Sequence, residues 1–140
     1  MTGTGRRAGA ALFFRGALRR WALPAIALAV VAAAYLPSLR NGFVWLDERE
    51  ILQHGLIVDR LGEIPGLFLN DRNYAGYHRP IYDLLHSLDA AIWGFRPFGF
   101  HLSSLVLHLA NVFLVWLLVR KAGHGEASSA AIAGLWGLHP

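Results

Sequence analysis

Two long stretches without a charged residue constrain the fold of this chain more than any other feature. Residues 21–39 and residues 97–119 contain no Asp, Glu, Lys or Arg. As α-helices they would be about 28 Å and about 34 Å long, close to the roughly 30 Å hydrocarbon core of a bilayer. We therefore predict one transmembrane helix over residues 21–39 and a second over residues 99–119.

The composition supports this interpretation and excludes several classes of function. Apolar residues make up 55% of the 140 residues and charged residues only 16%, whereas roughly 25% of a soluble domain is charged. The clustered basic residues are not interleaved with aromatic side chains in the way that single-strand binding requires, so no nucleic-acid partner is predicted. The absence of cysteine excludes disulfides, thiolate metal sites and a cysteine nucleophile.

The distribution of charge predicts an orientation in the membrane. Arginines are concentrated in residues 1–20, and Arg120-Lys121 follow the second stretch. Because Lys and Arg favour the cytoplasmic side, we assign residues 1–20 and 120–128 to the cytoplasm and residues 40–98 to an extracytoplasmic loop. This describes an integral, multi-pass membrane protein with a cytoplasmic N-terminus, which we expect in a bacterial inner membrane.

Residues 129–140 begin a third apolar run that is only about half as long as a bilayer is thick. A helix that ended inside the hydrocarbon would leave backbone carbonyls without partners. We therefore expect the chain to be the N-terminal piece of a longer protein, with its third transmembrane helix truncated.

For residues 21–39, the alternative to a transmembrane helix is a signal peptide that is cleaved at the small residues 32–34.

The extracytoplasmic loop is too long for a simple connection and is expected to hold short helices. They are predicted over residues 48–54, 61–69 and 80–93. The last is amphipathic and ends at Gly94, so we expect it to lie flat at the membrane interface. Its apolar face consists of Ile81, Leu84, Leu85, Leu88 and Ile92. The predicted fold class is all-α: polytopic membrane helices with a long extracytoplasmic loop carrying short interfacial helices.

An acidic pair, Asp47-Glu48, follows the first stretch closely and adjoins Trp45, a candidate for lining a substrate site. Carboxylates beside aromatic residues at a bilayer surface are suited to acid–base chemistry on a substrate that is partly lipid. The alternative is that the pair caps a helix N-terminus, where acids complement the helix dipole. The two roles are compatible, because a cap fixes the carboxylates in space.

His78-Arg79 directly precede the amphipathic helix and are candidates for binding a phosphate group. A guanidinium group binds phosphate through two hydrogen bonds, and a helix N-terminus adds oriented N–H donors. The alternative for Arg79 is an ion pair with Asp83, one helical turn further on.

The same helix carries Asp83, His86 and Asp89, whose side chains are of types that bind metals. Such a combination is common on exposed surfaces, so no metal site and no certain cofactor are predicted. A divalent metal is left as an unsupported alternative.

Polar residues also occur where the chain is expected to cross the membrane, at His108 and Asn111, and near the end of the third run at His139. Such residues either form interhelical hydrogen bonds or line a substrate path. For His108 and Asn111, the structural role is the favoured interpretation.

Five motifs in order carry a resemblance to a known family. They are Asn41-Gly-Phe-Val-Trp-Leu-Asp-Glu48, His78-Arg-Pro80, Phe95-Arg-Pro-Phe-Gly-Phe-His-Leu102, Leu107-His-Leu-Ala-Asn111 and Leu138-His-Pro140. Over about residues 35–140 the chain resembles the N-terminal region of polytopic glycosyltransferases of the C superfamily. The most similar group is the protein O-mannosyltransferase-like proteins with tetratricopeptide repeats at their C-terminus.

The resemblance implies a membrane enzyme that transfers a hexosyl or mannosyl group from a polyprenyl-phosphate sugar to a hydroxyl of a protein or glycan, with inversion. It implies Asp47 as the general base with Glu48 as its partner, although Leu46 replaces an acid of the family pattern, which leaves the register of the base open by one residue. It also implies that Arg79 and His78 neutralise the leaving lipid phosphate.

The fragment alone is expected to be inactive, because three membrane helices cannot enclose the whole cavity. Two alternatives come from other classes of protein. One is a non-catalytic membrane scaffold, and the other is a transporter fragment in which His108 and Asn111 line a path.

Overall fold

The computed structural model describes residues 21–44, 47, 51, 64–69 and 78–139. Every regular element within these residues is helical, which confirms the predicted all-α fold class. Helix α1 covers residues 21–35 and continues as the 3₁₀ helix Leu36–Arg40. The other helices are α2 (Ile64–Leu69), α3 (Pro80–Trp93), α4 (Pro97–Lys121) and α5 (Glu126–Leu138).

Two helical segments, Trp21–Arg40 and Pro97–Lys121, are long and apolar enough to cross a membrane. Equally apolar helices also form the cores of soluble proteins, where they are mostly buried. Here only 11% and 17% of their most apolar windows are buried. Large apolar side chains lie on the surface instead, such as Val30 (50% exposed) and Leu118 (68% exposed). This exposure is what is expected of helices that are surrounded by lipid.

The chain divides into two compact units, and the first joins Met1–Leu36 with Leu105–Pro140. In its described part, α1, α4 and α5 meet at a core that includes Val31 and Val112, both almost completely buried. A Cβ atom on Gly137 would lie 2.6 Å from Cγ2 of Val112 and 2.9 Å from Cγ2 of Val31. Only glycine fits without a shift, and such small residues let membrane helices approach closely.

Helix α5 begins at Glu126, three residues before the start predicted at residue 129. The N–H and the hydroxyl of Ser129 both donate to the Gly125 carbonyl oxygen, at 3.0 Å and 2.8 Å. Glu126 lies in the first turn, where a negative charge complements the helix dipole, and 3.8 Å from Arg120. The predicted turn is therefore too long, because the polar residues before the apolar run form the first helical turn.

The second unit, Pro37–Ser104, contains α2, α3 and the first turns of α4. Helix α3 has the predicted bounds, with Pro80 in its first turn and Gly94 (φ 61°) at its end. Its packing is inverted relative to a helix of a soluble protein: Ile81 and Ile92 are 59% and 67% exposed, whereas Ser87 is buried. Four of the five residues of the predicted apolar face, Ile81, Leu85, Leu88 and Ile92, are thus exposed.

The other two predicted loop helices are only partly covered by the described residues. Helix α2 covers Ile64–Leu69 and contacts α3, so the described part of the helix predicted over residues 61–69 is helical from Ile64 onward. The helix predicted over residues 48–54 lies outside the described residues except for the buried Ile51.

Candidate functional site

Asp47 lies at the end of a tight turn that begins at Val44. Its N–H donates to the Val44 carbonyl oxygen at 3.1 Å, and the Val44 N–H donates to Asp47 Oδ2 at 3.4 Å. In a capping box, an acid three residues along the chain satisfies the first N–H of a helical turn in this way. Asp47 Oδ2 therefore accepts a backbone N–H of this turn, whereas the helix that the acidic pair was predicted to cap lies outside the described residues. Trp45 and Glu48 lie outside the described residues.

The residues just before this turn are held against the start of α4 by two contacts. The rings of Phe43 and Phe100 meet edge to face with their centroids 5.3 Å apart. The Nε2–H of His101 donates to the Gly42 carbonyl oxygen at 3.4 Å. Because Phe100 is almost completely buried, these contacts tie the acidic turn to the packed part of the second unit.

Further ring contacts extend from Phe100 to α3. The ring centroids of Phe100 and His86 are 5.8 Å apart, and those of His86 and Tyr82 are 4.0 Å apart. The guanidinium carbon of Arg79 lies 5.9 Å from the centroid of the Tyr82 ring, within range of a cation–π interaction. We call Phe43, Phe100, His86 and Tyr82 the aromatic row. The row links the acidic turn to the arginine that was predicted to bind phosphate.

His78 and Arg79 are both exposed and precede the first turn of α3. The Asp83 N–H donates to the Arg79 carbonyl oxygen at 3.1 Å, so Arg79 adjoins the N-terminal, electropositive end of the helix. Phosphate binding by these two residues stays a prediction.

Two side chains considered for a metal site have other partners. Asp89 accepts a hydrogen bond from the Ser103 hydroxyl, which joins α3 to α4. The Nδ1–H of His86 donates to the Tyr82 carbonyl oxygen at 2.9 Å. Within the residues that the structure describes, no three His, Asp or Glu side chains are grouped so that they could hold a metal ion.

In the first unit, His108 forms the interhelical hydrogen bond that was expected of a polar residue in a membrane helix. Its Nε2–H donates to the Gly137 carbonyl oxygen at 2.9 Å. That carbonyl belongs to the last turn of α5 and has no partner along the helix. Tyr35 packs edge to face on the His108 ring, and its hydroxyl donates to the His139 carbonyl oxygen at 3.5 Å.

Asn111 differs from His108, although it lies only three residues further along α4. It is exposed and has no hydrogen bond to any residue that the structure describes. The interhelical bond expected for Asn111 is therefore not formed within the described helices. The reason is its direction around the helix, because α1 and α5 pack against the side of α4 that carries Val112 and Trp116.

The residues that position Asp47 were not identified from the sequence. Phe43, Phe100 and His101 lie within the motifs of the resemblance, but none of them was predicted to hold the acidic pair against the start of α4. Their common location depends on contacts between segments far apart in the chain. The signal in the sequence was the presence of aromatic residues in two separate motifs, which contain Phe43 and Phe100.

Fold and site together define a class of protein: a helical chain with two candidate membrane spans and a carboxylate fixed just beyond the first. Two curated proteins of Drosophila melanogaster are similar to it. Protein O-mannosyl-transferase Tmtc1 is 31% identical over 122 residues, which is 80% of this chain and 14% of the relative. Protein O-mannosyl-transferase Tmtc2 is 32% identical over 117 residues, which is 76% of this chain and 12% of the relative.

The chain thus spans about one seventh of the length of the curated relatives that it matches. No family model matches it, and no solved structure matches it. The similarity to these two proteins agrees in part with the predicted resemblance to protein O-mannosyltransferases. The C superfamily and the tetratricopeptide repeats stay predictions.

Proposed function

We propose that this chain is the N-terminal membrane part of a glycosyltransferase that transfers a mannosyl or related hexosyl group to an acceptor hydroxyl with inversion. The observation that carries the proposal is the similarity to two protein O-mannosyl-transferases over about four fifths of the chain. The donor is a polyprenyl-phosphate sugar, and the acceptor is a hydroxyl of a protein or a glycan. Activity requires the remaining membrane helices, so the 140-residue chain alone is inactive.

In the proposed topology, α1 and α4 cross the membrane in opposite directions. The N-terminus and residues 120–128 are cytoplasmic, and residues 40–98 lie on the opposite side, in a bacterial inner membrane. The inverted packing of α3 supports this arrangement, because its exposed apolar face fits the lipid interface and is unfavourable in water. The burial of Val31 between helices supports retention of α1 over its cleavage as a signal peptide.

Asp47 is the proposed general base. Sugar transfer from a phosphate requires a base on the acceptor side of the anomeric carbon, and a carboxylate held in place by its own backbone can serve as one. Oδ2 of Asp47 caps the turn, so Oδ1 takes the proton from the acceptor hydroxyl. The hydroxyl oxygen then forms the new bond to the anomeric carbon as the bond to the phosphate oxygen breaks. Glu48 assists Asp47, and Trp45 lines the acceptor side.

Arg79 is the proposed partner of the leaving phosphate, with His78 beside it. The lipid phosphate leaves with a negative charge, which an exposed guanidinium and the N-terminal end of α3 stabilise. The contact of Arg79 with Tyr82 supports this role, because it holds the guanidinium at the end of the aromatic row.

The experiment that tests the base is Asp47→Asn in the full-length enzyme, assayed with a polyprenyl-phosphate mannose donor. An amide oxygen still accepts the Val44 N–H bond, so the turn is kept while the basicity is lost. We expect kcat to fall by about 10²- to 10⁴-fold, with little change in KM for the donor. Glu126→Gln is the matched acid-to-amide control in the first turn of α5 and should leave kcat unchanged.

Unchanged kcat in Asp47→Asn would refute Asp47 as the base. If Glu48→Gln lost activity instead, the base would be shifted by one residue. The absence of mannosyl transfer by the unmodified full-length protein would favour the scaffold alternative. The transporter alternative receives no support from His108, whose Nε2–H is bonded to Gly137.

A further inference from the structure

One phenylalanine at the start of α4 contacts two separate segments of the second unit. The ring centroid of Phe100 lies 5.3 Å from that of Phe43, which precedes the acidic turn, and 5.8 Å from that of His86 in α3. Phe100 is only 4% exposed, so its ring is enclosed by its neighbours. Within the aromatic row, Phe100 is therefore the contact that the acidic turn and α3 share.

Hydrogen bonds from the same turn of α4 reinforce both contacts. The Nε2–H of His101 donates to the Gly42 carbonyl oxygen at 3.4 Å, and the Ser103 hydroxyl donates to the Asp89 carboxylate of α3. Each of the two segments is thus held to the start of α4 by one ring contact and one hydrogen bond. A directional bond beside a packed ring limits rotation as well as displacement of a segment.

The two segments carry the two groups that the proposed reaction needs. Asp47 lies in the turn that begins at Val44, and Arg79 directly precedes α3 and contacts Tyr82, which packs on His86 at 4.0 Å. In a displacement with inversion, the acceptor hydroxyl and the leaving oxygen lie on opposite sides of the anomeric carbon. The rate therefore depends on the separation between the base and the phosphate partner.

We propose that Phe100 is a positioning residue, which sets the separation between the Asp47 carboxylate and the Arg79 guanidinium through its contacts with Phe43 and His86. Phe100 is buried and acts only through these two rings. The inference rests on the proposed function and deepens it, because it makes the start of α4 the common support of both groups. Displacing Phe43 should move the base, whereas displacing His86 should move the phosphate partner.

The first test compares the kinetics of three variants of the full-length enzyme with a polyprenyl-phosphate mannose donor. Phe43→Leu should lower kcat on the order of tenfold without changing KM for the donor, because only the base is displaced. His86→Leu should raise that KM roughly tenfold, as expected when one charge-assisted hydrogen bond to the phosphate is weakened. Phe100→Leu should show both changes. A general loss of stability would not divide the two constants in this way.

Two matched variants serve as controls. His86→Phe keeps a ring beside Phe100 and should restore KM for the donor. Phe98→Leu changes a half-exposed phenylalanine of the same helix, whose ring meets Trp93 outside the aromatic row. It should leave both kcat and KM unchanged.

The second test does not depend on activity. Hydrogen exchange of the full-length protein follows the Val44 and Asp47 amides, which are bonded within the acidic turn. Both amides should lose protection in Phe100→Leu and keep it in Phe98→Leu. If Phe100→Leu failed to fold, Phe43→Leu and the exchange of the same two amides would decide the outcome.

The outcomes separate this inference from the proposed function. Unchanged kcat in Asp47→Asn would refute the base and the positioning role with it. If Asp47→Asn lost activity but Phe100→Leu kept both kinetic constants, the positioning role alone would be overturned. Equal protection of the turn amides in Phe100→Leu and Phe98→Leu would overturn it as well.

Discussion

Different kinds of contact stabilise the interior of each of the two units of this chain. In the described part of the first unit, branched and small side chains pack closely together. Gly137 has no side chain that would clash with Val112 and Val31, so three helices can come close. In the second unit, rings meet at defined angles, and side chains form hydrogen bonds such as Ser103 to Asp89 and His101 to the Gly42 carbonyl.

This difference fits the role that we propose for each unit. Apolar helices gain little from hydrophobic burial in lipid, so their association depends on close packing, which small residues permit. A segment that positions a carboxylate needs directional contacts, because the direction of Oδ1 matters as much as its location. The comparison predicts that the first unit is sensitive to added volume and the second to the loss of single polar atoms.

The largest effect on stability is expected from added volume in the first unit. Gly137→Ala places a methyl group against Val112 and Val31 and should destabilise the unit by about 1–3 kcal/mol. Gly134→Ala is the matched control, because its new Cβ would meet only Ala27 at 3.6 Å, an ordinary contact. In a helix, that exchange should stabilise by up to about 1 kcal/mol. Unfolding in mixed micelles measures both.

If Gly137→Ala and Gly134→Ala shifted stability in the same direction and by the same amount, that result would contradict the close packing of three helices at Gly137. The opposite signs are what distinguish packing from helix propensity.

The second unit should respond to the loss of one hydroxyl group. Ser103→Ala removes the hydrogen bond that Asp89 accepts and should destabilise the unit by about 1.5 kcal/mol, since the acceptor is charged. Ser104→Ala changes the neighbouring, exposed serine and should be neutral. Hydrogen exchange of the α3 amides measures the effect locally. Equal protection of the α3 amides from exchange in Ser103→Ala and Ser104→Ala would contradict the hydrogen bond from Ser103 of α4 to Asp89 of α3.

A smaller effect is expected where the first unit does use a polar contact. His108→Leu leaves the Gly137 carbonyl without its donor and should cost about 1 kcal/mol. Asn111→Leu, three residues further on, should leave stability unchanged, because that side chain has no partner within the described helices. Unfolding of both variants in detergent provides the measurement. A loss of stability in Asn111→Leu there would show a contact within one chain.

The smallest effect is expected for the partly exposed ion pair between Arg120 of α4 and Glu126 of α5. Glu126→Gln removes its interaction with Arg120 and should change stability by about 0.5 kcal/mol or less, because both side chains are about one third exposed. Added salt should have a similarly small effect on the unmodified chain and none on the variant. A large salt effect on both would point to other charges.

The predictable parts of the structure were those that depend on local pattern. The bounds of α3 follow from its apolar period, from Pro80 in its first turn and from Gly94 at its end. The start of α5 was missed because Glu126 and Ser129 resemble turn residues in the sequence, whereas the Gly125 carbonyl accepts both the N–H and the hydroxyl of Ser129. The aromatic row could not be predicted, since its rings come from segments up to fifty-seven residues apart, from Phe43 to Phe100.

The sequence by itself determined that two helices of membrane length occur and that an acidic pair follows the first of them. Those properties depend only on the spacing of charged residues along the chain. The tertiary structure alone decided which polar residue of α4 is satisfied. His108 and Asn111 are both polar residues within the same uncharged stretch of the sequence, but their side chains point in different directions around the helix. Only the positions of the neighbouring helices determine that His108 meets a carbonyl oxygen, whereas Asn111 meets no partner among the described residues.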